Sequence, residues 1–150
     1  MKKILISVLL LASLFACGKK ETPTTTTVCS FEYYGETYVT TFTAKEDVVL
    51  KSVEEESFVM TSYYTNEEVL AMLEENDEIV SYTKGIVYDY TFDLDTREFE
   101  SRLEINYEVA SIDALVNVGL LDASYQGAET MSLESMVTAY ESVGYVCELK

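Results

Sequence analysis

Three cysteines and an excess of carboxylates are the residues of this 150-residue chain with chemistry to offer. Histidine is absent, which removes the commonest general base and the commonest metal ligand. Ser-His-Asp and Cys-His catalysis within the chain are thereby excluded. Beyond Cys17, only Cys29 and Cys147 remain as soft ligands, too few for a structural zinc site. No cofactor is expected. Cys29 and Cys147 stand near the two ends of the sequence that reads as folded. Outside the cytoplasm two such thiols usually pair, and the bond would close a loop long enough to be worth about 4–5 kcal/mol in the chain-entropy model. The competing reading is two buried free thiols. Asp89, Asp93, Glu100 and Glu104, followed by Glu108, fall on one predicted sheet face. Carboxylates at that density make a weak site for a divalent cation or a cationic ligand. A solvated face is the bland alternative, and Glu54-Glu55-Glu56 and Glu74-Glu75 read the same way.

Cys17 is the most specific chemical signal. Lys2 and Lys3 precede Ile4 to Phe15, an uncharged and mostly apolar run. That run is short of the about 20 apolar residues a membrane-spanning helix needs, and it has the flanks of a signal-peptide core. Leu14-Phe15-Ala16-Cys17-Gly18 resembles the bacterial lipobox, which implies a diacylglyceryl thioether on Cys17 after cleavage at Ala16. Residues 1–16 are then a lipoprotein signal peptide. Residues 17–28 are read as a lipidated N-terminus and flexible tether, with the only proline and a run of threonines. Residues 29–150 are read as one domain. The expected location is the extracytoplasmic face of the cell membrane, held by palmitate-type acyl chains. Two or more such chains anchor stably where one does not.

Charge narrows the partners. Lys2 and Lys3 precede Cys17, and all acidic residues follow it; 8 basic residues against 27 acidic ones leave a formal charge of −19. Nucleic acid and other anionic surfaces are repelled by such a domain. Acidic residues also serve plain solubility. The 12 tyrosines mostly alternate with other apolar residues, as core packing requires. Tyr33-Tyr34 and Tyr63-Tyr64 cannot each put both rings on one strand face, so one ring of each pair is expected to be exposed.

The elements that must position these groups are legible in part. Cys29 to Tyr33, Tyr38 to Phe42 and Val48 to Val53 read as strands, and Ser57 to Tyr64 as a further one. Thr65 and Glu68 form a capping box for a helix carrying Val69, Leu70 and Leu73 and ending near Asn76. Ile86, Tyr88, Tyr90 and Phe92 share one face of a hairpin with Phe99, Leu103 and Ile105. Pairing Phe92 with Phe99 places Tyr88 opposite Leu103 and Asp89 opposite Arg102; a slip of two residues satisfies the pattern as well. Asp93-Leu-Asp95-Thr-Arg97-Glu98 looks like a calcium loop, but it lacks the required glycine and puts arginine at a ligand position. It reads as a turn. Ser111 caps a short helix stopped at Gly119, and Ser132 caps another carrying Leu133, Met136, Val137 and Tyr140. Tyr145 to Leu149 closes the chain as a strand. This order predicts an α+β fold, a mostly antiparallel sheet with about three helices packed on one face.

The domain resembles the YehR-like family, small bacterial lipoproteins built on a domain of unknown function. The resemblance rests on Gly85-Ile86-Val87-Tyr88-Asp89-Tyr90, on Leu103-Glu104-Ile105-Asn106-Tyr107 followed by Ala110 and Leu115, and on Ser132-Leu133 through Gly144-Tyr145. It covers roughly 29–150 and implies a lipid-anchored α+β envelope protein. It carries over no catalytic residue.

The leading expectation is therefore a non-catalytic binding or interaction module, attached to the membrane through its lipid. Its partner would be an envelope protein or a small ligand, and not nucleic acid. A histidine-free, carboxylate-based enzyme is the second reading, and it needs two carboxylates converging in a cleft. A third assigns the role to Leu9 to Ala16, which has the character of a peptide pheromone.

Overall fold

Alternating β-branched and aromatic residues drive six segments of the chain into one antiparallel sheet. The computed structural model describes residues 22–150. The expected signal peptide and Cys17 lie outside the described residues. Strands β1 (Thr24–Tyr33), β2 (Glu36–Lys45) and β3 (Val48–Val59) form a meander. Helix α1 (Asn66–Ser81) follows, then the hairpin of β4 (Ile86–Phe92) and β5 (Glu98–Asn106). Helices α2 (Ile112–Asn117) and α3 (Leu133–Ser142) flank a single 3-10 turn, and β6 (Val146–Leu149) ends the chain. The strand order is β4-β5-β3-β2-β1-β6, with every pair antiparallel.

The predicted hairpin register holds: Phe92 pairs with Phe99, Tyr88 with Leu103 and Asp89 with Arg102. Both capping predictions for the longer helices hold too. Thr65 Oγ1 accepts from the Glu68 amide at 3.2 Å while Glu68 Oε2 accepts from the Thr65 amide at 2.8 Å, and Ser132 Oγ accepts from the Ser135 amide at 3.2 Å.

Three boundaries differ from expectation. Thr24 to Val28 belong to β1 and not to a tether, because this run pairs residue for residue with Lys45 to Thr41 of β2. A row of threonines is β-branched, and a partner strand suffices to order it. β3 is one strand of 12 residues, where two were expected. Helix α1 continues past Asn76 to Ser81, because Val80 adds a further turn to the buried stripe of Val69 and Leu73.

One sheet face carries the core. Cys29, Phe42 and Val49 pack there against Ile112, Met131 and Met136. Ile105 packs against Ala110 and Leu115. Phe99, with Phe58 and Phe92 beside it, packs against Val69 and Leu73 of α1. The register puts all these strand residues on the same side, so the three helices cover one face, as predicted. Gly85, which opens the hairpin, is held at φ +90°, and a Cβ there would lie 2.7 Å from the Ala110 amide nitrogen. Only glycine fits both demands.

The calcium-like stretch is a turn. Asp93 Oδ1 accepts from the amides of Asp95 and Thr96 at 2.8 and 2.7 Å. Arg97 reaches back to the β3–α1 loop, donating to the carbonyls of Met60, Thr61 and Tyr64 and to Asn66 Oδ1. It thereby fixes the loop that presents Tyr63 and Tyr64.

Candidate functional site

Residues of β3 alternate between the two sheet faces, and this places charge where apolar side chains are expected. Ser52 pairs with Phe42 on one side and Ile105 on the other; Phe58 pairs with Phe99. Between them on the same, helix-covered face stand Glu54 and Glu56. Glu54 has Thr40 and Leu103 as cross-strand neighbours, and Glu56 has Tyr38 and Ser101. One strand further out the rows continue to Phe31 and Cys29 on one side and to Tyr90 and Tyr88 on the other. Helix α1 rests on β4 at one margin of the sheet and α3 on β6 at the other. The strip between the helices is thus two carboxylates flanked by aromatic rings.

The electrostatics follow from partial burial without a counter-charge. Neither Glu54 nor Glu56 is paired with lysine or arginine among the described residues. Burial pushes the Glu54 carboxyl above its ordinary range, opposed by the Tyr140 hydroxyl, which donates to Glu54 Oε1 at 3.2 Å, and reinforced by the charge of Glu56. Burial raises Glu56 as well. Tyr38 is pushed up to about 12, first by burial, then by its hydrogen bond to Glu36 (3.0 Å) and the charges of Glu36 and Glu56. Tyr88 and Tyr145 are raised by burial and then by Glu56. Glu56 therefore acts on tyrosines of β2 and β4 and on the one just before β6. The rings of Phe31 and Tyr145 stack at 5.3 Å, and Tyr140 meets Tyr145 edge-on at 4.8 Å. Tyrosine faces and half-buried carboxylates together favour a positively charged group, through Coulomb attraction and the ring quadrupole.

Of the carboxylates singled out in the sequence, Asp89, Glu100 and Glu104 are on the opposite face and Asp93 is in the β4–β5 turn, so they do not form one site. Asp89 and Glu100 line an open concavity of about 390 Å3 with Glu55, Arg102, Thr37 and Val39. Glu104 is engaged by Lys51 at 2.6 Å and Arg102 at 3.2 Å, which hold its carboxyl below the ordinary range. Asp93 is held low by the turn amides it accepts from. Among the described residues no three acidic or cysteine side chains gather as a metal would require. Glu54 and Glu56 fall in a break between the strands expected at Val48 to Val53 and Ser57 to Tyr64, which hides their side of the sheet. Counting back by twos from Phe58 would have found them.

Cys29 and Cys147 face one another across β1 and β6 and form a disulfide, with Cα atoms 4.0 Å apart. It fastens the four-residue edge strand β6 to the sheet and joins residues 118 positions apart.

These features define a small α+β domain with an open six-stranded antiparallel sheet. The same fold is found in the solution structure of the YehR protein of E. coli, with TM-score 0.67, 18% identity, and coverage of 84% of this chain and 91% of that one. A Streptococcus pneumoniae TIGR4 protein solved by NMR is also similar, with TM-score 0.55, 14% identity, and coverage of 99% and 96%. No protein-family model and no curated protein matches the chain.

Proposed function

We propose that this chain is a YehR-like lipoprotein of the bacterial envelope. Lipid on Cys17 anchors it at the extracytoplasmic face of the cell membrane, where it serves as a non-catalytic binding module. The observation that carries the binding role is the strip of Glu54 and Glu56 set among tyrosines on the helix-covered face. Partly buried charge without a counter-ion destabilises a fold, and a bound positive group would offset that cost. The apolar run ending in Ala16-Cys17 supports the anchor. The Cys29–Cys147 disulfide supports an oxidising compartment independently of the leader.

A second reading has one observation in its favour. Glu54 and Glu56 are neighbours on one strand face, roughly 7 Å apart along it, and both carboxyls are raised, as acid–base catalysis by paired carboxylates requires. Binding without turnover of a cationic compound would separate the first reading from this one.

Growth with a labelled fatty acid tests the anchor. The expected result is label on the wild-type protein in the membrane fraction and none on Cys17→Ala. Mass spectrometry that found the leader attached and the Cys17 thiol free would overturn it.

A further inference from the structure

The two ends of the sheet differ in chemistry, and on the lipid-anchored reading the start of β1 is the end nearer the membrane. Strand β1 starts at Thr24, seven positions after Cys17, and runs to Tyr33, about 30 Å away at 3.3 Å per residue. Lysines stand at the Thr24 end among the acidic residues Glu46, Asp47, Glu108 and Glu148, and the Lys150 ammonium is paired with Glu148 at 2.6 Å. Lys45 pairs with Thr24, the Lys150 amide donates to the Thr26 carbonyl at 2.8 Å, and Lys84 stands just before Ile86, which lies in the row that leads to Thr27.

The far end differs in its exposed aromatic rings. The β1–β2 turn, the β3–α1 loop and the β4–β5 turn all lie at that end of the sheet. They present Tyr33, Tyr34, Tyr63 and Tyr64 at 55%, 90%, 91% and 51% exposure. Both rings of each tyrosine pair are therefore out, where one was expected. Tyr34 leaves the strand path at φ 49° and meets Tyr33 edge-on at 4.4 Å; Tyr33 stacks on Phe31 at 6.2 Å. The aromatic series thus runs without a break from the tip into the strip around Glu56. Glu32, Glu36, Glu67 and Glu98 lie at the same end by register and helix position, and Arg97, the basic residue at this end among the described residues, is bound to backbone carbonyls and Asn66.

We infer that the tether-distal end is the docking surface for a basic protein partner, whose lysine or arginine side chains seat against these tyrosines and the carboxylates behind them. A small ligand needs an enclosing pocket, and turn-borne rings do not enclose. Exposed tyrosine is the residue type that dominates protein interfaces, and lysine or arginine over a tyrosine face gains further attraction. The inference rests on the lipid-anchored reading for its orientation and on the Glu54–Glu56 strip of that reading for part of its contact.

The test is an NMR titration of the chain from Cys17 on, carrying Cys17→Ser, at about 0.15 M salt where long-range attraction is screened. The probe is a short oligolysine peptide, with spermidine as the small-amine arm. The expected result is amide shifts concentrated at Tyr33, Tyr34, Tyr63 and Tyr64 and along β3 at Glu56. Tyr34→Asn with Tyr63→Ser should weaken the peptide at least about fivefold. Tyr82→Ser, at a site 84% exposed beside the other end, should leave it unchanged. Shifts spread over the whole surface, shifts centred on Asp89 and Glu100, spermidine binding as tightly as the peptide, or no binding would each overturn the inference. An unmodified Cys17 in cells would remove the anchor and leave this titration untouched, and spermidine shifts confined to Glu54 and Glu56 with the tyrosine tip unmoved would keep the strip and sink the docking inference, so the failures are distinguishable.

Discussion

The Tyr140 hydroxyl donates to Glu54 Oε1 at 3.2 Å, across 86 positions of sequence. This bond ties the second half of α3 to the middle of the sheet, and it is the protein hydrogen bond that holds the Glu54 carboxylate in place. Tyr140→Phe removes the donor and leaves the ring, which still packs edge-on against Phe42. The expected loss is about 1–2 kcal/mol at pH 7, since a half-buried carboxylate loses a partner. Urea unfolding measures it. In Glu54→Gln the same tyrosine change should cost less, because the charge-assisted part of the bond is already gone.

Stability should depend on pH through Glu54 and Glu56 in a sense opposite to the usual carboxylate. Burial raises both carboxyls in the folded state. A carboxyl raised this way favours the fold when protonated, and that contribution is lost as pH rises through its folded-state value. Glu104, Asp93 and Glu68 are lowered and act in the other sense. The difference between variant and parent isolates the first effect. Glu54→Gln and Glu56→Gln should each melt above the parent at pH 7, and the gap should close near about pH 4, where the unfolded-state carboxyl also protonates. A variant melting below the parent at pH 7 would contradict the placement.

Removing the disulfide should be felt across the whole domain. Cys29→Ala with Cys147→Ala leaves β6 attached by four paired residues and the packing of Tyr145. The expected cost is about 2–5 kcal/mol, read as a lower urea midpoint. Hydrogen exchange should quicken first at the β1–β6 pairs.

Much of this architecture was readable from periodicity, and the failures share a cause. The β4–β5 hairpin was legible because Ile86 to Phe92 and Phe99 to Ile105 alternate cleanly, and one face had to be core. Pairing Cys29 with Cys147 was legible because two thiols near the ends of one domain have few other fates. Glu54 and Glu56 were not, because three consecutive glutamates read as solvent-facing by default. Their side of the sheet is set by cross-strand partners, Thr40 with Leu103 and Tyr38 with Ser101, which lie far away in sequence. The same applies to Thr24 to Val28, ordered by β2 and not by anything within the run. Tyr33, Tyr34, Tyr63 and Tyr64 could be flagged as pairs, but only the topology brings the two pairs to one end of the sheet.

The placement of Glu54 and Glu56 on the helix-covered face is the claim from which the binding role follows. Carboxyl-carbon NMR titration of the glutamates tests it most directly. The account predicts that Glu54 and Glu56 titrate above the ordinary glutamate range and that Glu104, between Lys51 and Arg102, titrates below it. Glu54 and Glu56 titrating together with Glu104, or below it, would contradict the account.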